Sequence, residues 1–339
     1  MSCGPIHRLQ NTMIEEIEKD LYRIPVPLKG NPLRELNSYF IRGKDRDLLI
    51  DTGFRRKECR EALEEGLKQL GILSGQRDVL VTHFHPDHAG LADIMAGEHG
   101  RIYMSQTDVA YARGDNGKEL NPEIVQRFIS EGFDREHMKH LLAEESDNMS
   151  YPGFADRLYM LRPHELIAYG DYILESIPVP GHTPGNMMLW AKKQGIMFCG
   201  DHILFDISPN IMPHAGVADS LGDYMKSLRD AAKYPVKLAL PGHRKSGNYQ
   251  ERIVQLLAHY EHRLDQVWQI VAETPGLCAY EIAQKMQWNI HTNNWDEFPI
   301  AQQWFATGEC MTHLDHLKIT KRIDRRLDQT VYRYFKNPF

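Results

Sequence analysis

The chain of 339 residues has only five cysteines, Cys3, Cys59, Cys199, Cys278 and Cys310. They are odd in number, scattered and without a C-x-x-C pair, which argues against a disulfide framework and against a thiolate metal site. A long apolar run is missing as well. Met1 to Asp20 mixes His, Arg, Glu and Lys, so it reads as neither a secretory signal nor a membrane span, and a cytoplasmic protein is expected. Nor is there an excess of basic charge: 40 Lys and Arg stand against 46 Asp and Glu, a formal −6. A polyanion partner would therefore need a local basic patch.

What the chain does have is histidine, 17 in all, and one place where it is concentrated. The stretch Asp78-Val79-Leu80-Val81-Thr82-His83-Phe84-His85-Pro86-Asp87-His88-Ala89-Gly90 runs a short apolar strand into H-x-H-x-D-H. Two histidines spaced by two on extended backbone point to the same side. Pro86 suits a first helical position, so Asp87 and His88 should open a helix. Imidazole and carboxylate are the donors that Zn²⁺, Fe²⁺ or Mn²⁺ take from protein. With this composition the expected number of chance matches is on the order of 0.006. Three further turns follow apolar runs and place a glycine before a donor: Gly181-His182, Gly200-Asp201 and Gly242-His243.

His83, His85, Asp87, His88, His182, Asp201 and His243 together resemble the seven-ligand set of the metallo-β-lactamase superfamily in its dinuclear hydrolase form. The resemblance implies an α+β fold, a four-layer αββα sandwich. It also implies one metal on His83, His85 and His182, a second on Asp87, His88 and His243, Asp201 bridging both, and attack by a hydroxide shared between them. Two divalent ions are expected, zinc ahead of iron or manganese, with Asp87 as proton carrier. Asp51-Thr52-Gly53 matches a family feature in which the aspartate supports a ligand; a strand-ending turn explains it equally well.

In chain order, residues 1–20 form an N-terminal extension and residues 21–247 the metal-binding domain. Strands are expected at 21–26, 37–42, 47–51 and 101–104, and a helix at 56–70. From 107 to 164 the sequence turns helical and polar. That insertion is read as a lid or substrate wall, with an oligomer contact as the plainer alternative, and Phe128, Phe133, Met138, Leu141, Leu142, Met149, Tyr151 and Phe154 as pocket candidates. Tyr224 and His214, between Asp201 and His243, are candidates to face the substrate carbonyl, although a buried helix face would account for Tyr224. Residues 248–339 read as helix, helix, helix and hairpin, the order of a winged helix, with strands near 319–323 and 330–334 around a charged turn. This resembles an appendage that part of the superfamily carries.

Position 85 is His where oxygen-reducing flavodiiron relatives have an acidic residue, and position 201 is Asp where one group of antibiotic-destroying enzymes has cysteine. The leading reading is hydrolysis of a small acyl substrate, a thioester or lactone. The alternative is RNA or phosphodiester cleavage gripped by Lys318, Lys321, Arg322, Arg325, Arg326, Arg333 and Lys336, a cluster that a solvated surface or homodimer contact explains better. A non-catalytic, metal-binding regulatory protein comes third.

Overall fold

The computed structural model describes residues 14–72, 77–114, 121–145, 157–288 and 294–337. Met149, Tyr151 and Phe154, named above as pocket candidates, lie outside these residues, as does most of the N-terminal extension.

Seven strands make the first sheet. β1 (Glu15–Glu18), β2 (Leu21–Leu28), β3 (Arg34–Ile41) and β4 (Asp47–Ile50) form an antiparallel meander. Helix α1 (Lys57–Gln69) then crosses to β5 (Arg77–Leu80), parallel to β4. After the one-turn helices α2 (Pro86–Ala89) and α3 (Ala92–Met95), β6 (Ile102–Ser105) continues the sheet in parallel. Helices α4 (Gln106–Gly114), α5 (Pro122–Ser130) and α6 (Arg135–Glu145) precede β7 (Leu158–Leu161), which closes the sheet edge. The second sheet holds β8 (Leu166–Tyr169), β9 (Tyr172–Pro178), β10 (Met187–Ala191) and β11 (Ile196–Gly200), antiparallel in turn. Helix α7 (Ser220–Ala231) leads to β12 (Leu238–Pro241), parallel to β11.

The layers follow from side-chain alternation. On β10, Met187, Leu189 and Ala191 enter a core between the sheets, while Met188 and Trp190 enter a second core under the outer helices. Likewise β4 sends Leu48 and Ile50 inward and Leu49 outward, toward α1. Strands covered on both faces read as unbroken apolar runs, which is why they are visible in the sequence. The result is the expected four-layer αββα sandwich.

Beyond the second sheet lie α8 (Tyr249–Glu273), α9 (Ala279–Lys285), a 3₁₀ turn at Trp295–Glu297, α10 (Ile300–Ile319) and the hairpin β13 (Ile323–Asp328) and β14 (Val331–Lys336). Several expectations change. Residues 158–161, inside the supposedly helical insertion, are a strand, and β8 was not foreseen; both are short edge strands with exposed Met160 and Leu166, so their burial pattern is weak. The charged segment 324–328 is the first hairpin strand rather than the turn. The turn is Gln329-Thr330, with Gln329 at φ 52°, and it carries no Gly or Asn to announce it. The insertion is not free-standing either. Phe128, Phe133, Met138 and Leu141 are buried in one core with Ile282, Met311 and Leu314 of the C-terminal helices. There they hold α5 and α6 against the C-terminal helices.

Candidate metal centre

Parallel pairing sets the site. Because β4 runs parallel to β5 and β11 to β12, the segments leaving their carboxyl ends emerge together, and these carry Asp51, Thr82 to His88, Asp201 and His243. The turn after β9 adds His182. Donor atoms of three groups lie within 4.8 Å of one another: His83, His85 and His182; His83, His88 and Asp201; Asp87, His88 and His243. All seven residues singled out from the sequence therefore converge. His83 and His85 sit in the loop after β5 rather than on the strand, and His85 precedes α2, with Pro86 in its first turn.

Hydrogen bonds fix the tautomers. His182 Nδ1 lies 2.8 Å from the carbonyl oxygen of Asn210, and His243 Nδ1 lies 2.7 Å from that of Glu35. A carbonyl only accepts, so both Nδ1 atoms donate, and in the neutral imidazoles the lone pair is left on Nε2. His88 Nδ1 donates to Asp51 Oδ2 at 2.8 Å. Thr82 gives its hydroxyl proton to Asp51 at 2.8 Å, so its oxygen accepts from His83 Nδ1 at 3.1 Å. Four imidazoles thus turn Nε2, the nitrogen that can bind a metal once neutral, toward one small volume. His85 differs, turning Nδ1 toward His83 Nε2 at 3.0 Å.

That volume suits a cation. A tetrahedral ion with Zn–N bonds of about 2.0–2.1 Å needs donors about 3.3–3.4 Å apart. His88 and His243 present their Nε2 atoms 3.3 Å apart, and Asp87 Oδ2 lies 3.3 Å from His243 Nε2. Asp201 spans the cluster, with Oδ2 3.5 Å from His243 and 3.8 Å from His182 and Oδ1 3.5 Å from His88. Neither Asp201 Oδ1 nor His182 Nε2 has a hydrogen-bond partner. Burial and neighbouring imidazoles push His83 and His85 well below the usual histidine range. Burial works the same way on His88 and His243, but there the surrounding carboxylates win and raise both. Burial raises Asp87 too, yet His88 and His243 outweigh it and bring it down to about 2. Asp51, Asp87 and Asp201 are all buried, and such a concentration of carboxylate requires compensating positive charge. The donor set fits divalent metal, and the chain has a His/Asp cluster able to bind it.

Around the donors, Asp51 takes the supporting role rather than that of a simple turn. It bonds His88 and Thr82 through both oxygens, at φ 59° and 2% exposure. Gly242 is required by contact, since a Cβ there would sit 2.5 Å from Asp201 Oδ1. The substrate-facing role considered for Tyr224 does not survive its placement: the ring is fully buried and its hydroxyl donates to the His202 carbonyl at 2.7 Å. His214 stays beside the centre, half-buried, with Nδ1 unpartnered. Its ring meets Phe84 and Tyr111 edge-on at 6.0 and 5.9 Å.

Asp108 escaped the sequence reading. Fully buried on α4, it accepts from Phe84 N (3.0 Å), Thr183 Oγ1 (2.8 Å) and Gly185 N (2.6 Å), tying the His83–His85 loop to the His182 turn. Burial pushes it up to about 7. Its only sequence signal was an acidic residue opening a predicted helix. Asn37 was missed as well. Its amide donates to the carbonyls of Pro241 and Arg244 on either side of His243.

A family model described as "Metallo-beta-lactamase superfamily" matches residues 32–243, ending on the last donor. The "Probable metallo-hydrolase YqjP" of Bacillus subtilis (strain 168) is 27% identical over 316 residues, 89% of this chain and 92% of that protein. The human "Acyl-coenzyme A thioesterase MBLAC2" is 25% identical over 237 residues, 66% of this chain and 78% of that protein. Among solved structures, a beta-lactamase domain protein from Burkholderia ambifaria superposes with a TM-score of 0.82 at 25% identity, over 97% of this chain and 96% of its own.

Proposed function

This chain belongs to the metallo-beta-lactamase superfamily, and from that premise we propose that it is a dinuclear metal-dependent hydrolase of a small acyl substrate, a thioester before a lactone. His83, His85 and His182 would hold one ion and Asp87, His88 and His243 the other, with Asp201 between them; zinc suits the donors best, ahead of iron or manganese. When bound, two such ions supply Lewis acidity and bring water, whose free pKa is about 15.7, toward neutrality. The chain's own groups do the rest. Asp87, whose carboxylate reaches into the centre 3.3 Å from His243 Nε2, can accept the proton released as the acyl bond is attacked. His214, brought down to about 4 by burial and by His182, is neutral and can donate a hydrogen bond to the carbonyl or the leaving group. Phe84 and Tyr111, stacked at 6.1 Å, give the wall beside His85 an apolar, aromatic face.

The observation that carries the acyl reading over nucleic-acid cleavage is the state of the C-terminal basic cluster. Arg322 pairs with Asp265 (3.0 Å), Arg325 with Glu131 (3.3 Å), Arg326 with Asp324 (3.5 Å) and Arg333 with Glu281 (2.7 Å). Lys336 lies over Trp268. Each such carboxylate partner offsets part of the positive charge that a phosphate would meet. The thioesterase relative points the same way. No helix among the described residues is long and apolar enough to cross a membrane. The test is a metal-loaded preparation assayed against an acyl-CoA and acyl-glutathione panel, acyl-homoserine lactones, bis(p-nitrophenyl) phosphate and single-stranded RNA. Thioester turnover is expected. RNA cleavage that disappears with Arg325→Ala/Arg326→Ala, alongside inert thioesters, would reverse the assignment.

A further inference from the structure

Of the five imidazoles, His182 is held differently. His83 and His88 take their orientation from Thr82 and Asp51, and His243 from the Glu35 carbonyl, all on segments of the first sheet. His182 Nδ1 instead donates to the carbonyl of Asn210, in the irregular loop between β11 and α7. A backbone carbonyl can fix a tautomer only if its own segment is fixed.

Helices α8 and α10 do that fixing. Arg252 on α8 donates from Nε to the Leu204 carbonyl at 2.6 Å and from Nη2 to that of Ile207 at 2.9 Å. Tyr260, about two turns further along the helix and fully buried, donates its hydroxyl to the Pro209 carbonyl. Thr312 on α10, 1% exposed, has its hydroxyl 2.9 Å from the Ile211 carbonyl and 2.9 Å from the Glu309 carbonyl of its own helix. The carbonyls on both sides of Asn210 are therefore anchored to helices that lie beyond the family match, which stops at residue 243. Gly308 of α10 faces the end of the Met212 side chain from the same loop.

We propose that the C-terminal helices are part of the metal centre, and that Tyr260 and Thr312 are positioning residues that set His182, acting through the 209–211 backbone, for one of the two metal sites only. The proposal rests on the dinuclear reading above. It predicts an asymmetry that general destabilisation would not produce. Loosening the loop should weaken the site shared by His83, His85 and His182 and spare the one shared by Asp87, His88 and His243.

The experiment uses the full chain, stripped of metal and titrated with zinc against a chromophoric chelator, so that equivalents and affinities are both read. Wild type, Tyr260→Phe, Thr312→Val and Thr312→Ser are compared, with thermal melts of the metal-free forms alongside. Two equivalents are expected for wild type. In Tyr260→Phe and Thr312→Val one equivalent should weaken about tenfold, the low end for residues that support a ligand, while the other stays unchanged. Thr312→Ser, which keeps the hydroxyl, should bind as wild type does. If Thr312→Val does not fold, Tyr260→Phe reads the same loop. Equal weakening of both equivalents, or no weakening, overturns the proposal and leaves the dinuclear reading intact. A wild type that takes up fewer than two equivalents overturns the reading on which it rests.

Discussion

Two of the buried polar clusters among the described residues are built on opposite principles. Around Glu131, at the end of α5, every strong acceptor meets a donor. The Tyr334 hydroxyl lies 2.8 and 2.9 Å from its two oxygens, and Arg325 Nη1 lies at 3.3 Å. Arg127 on the same helix pairs with Asp315 of α10. In the His/Asp cluster, by contrast, acceptors outnumber donors: the Nε2 atoms of His88 and His243 lie 3.3 Å apart beside the Asp87 and Asp201 carboxylates, and Asp201 Oδ1 and His182 Nε2 are left without a hydrogen bond. A buried network whose members complete one another is a staple. One whose acceptors are left short of donors is built to receive something positive.

The contrast is broken most directly at Asp201. Asp201→Asn should lose at least one zinc equivalent and on the order of 10³-fold in kcat/KM, while Glu131→Gln should leave both within about twofold. Metal analysis and thioester kinetics on the two variants decide it. Next comes pH. Burial, against Tyr334 and Arg325, raises Glu131 to about 7, while in the unfolded chain it titrates near about 4.3. Between those values the folded chain keeps a proton that the unfolded chain has lost. The stabilisation is therefore complete below about 4.3 and disappears as the pH rises through about 7, a change on the order of 3 kcal/mol. Urea unfolding of the metal-free protein at pH 5 and pH 8 should show that loss, and Glu131→Gln should remove it. A pH slope identical in the variant would place its origin in the histidine cluster instead. Asp51→Asn is third. It keeps a residue tolerant of φ 59° but weakens the acceptor behind His88, and should cost about 10- to 100-fold in zinc affinity at one site.

Legibility in the sequence divides along similar lines. His83, His85, Asp87 and His88 could be read together because one strand, loop and helix start delivers them. His182, Asp201 and His243 could be read because each follows a glycine after an apolar run. Asn210 and Glu35 could not, since they act through backbone carbonyls that any residue would supply. The doubly covered strands β4, β10 and β11 announced themselves as apolar runs, whereas the edge strands β7 and β8 did not. The helical, polar character of 107–164 was legible, but nothing in it could tell a substrate wall from packing. Phe128 and Met138 belong to the core they share with α10, a contact between segments about 180 residues apart that no local pattern encodes.

The smallest effect tests the closed cluster from within. Tyr334→Phe removes one hydroxyl and no volume that matters, leaving Glu131 with Arg325 alone among the side chains that meet it through hydrogen bonds. A single bond of this kind is worth about 1 kcal/mol, more when its acceptor is charged. The loss should therefore be greater at pH 8, where Glu131 is ionised, than at pH 5. For a chain of this size that is a melting shift of about 2–4 °C at pH 8, read by calorimetry. Zinc affinity should not move, because the hydroxyl reaches Glu131 and none of the seven donors. A Tyr334→Phe variant that bound zinc several-fold more weakly would mean that the staple and the metal centre are one network, and the distinction drawn between them would no longer hold.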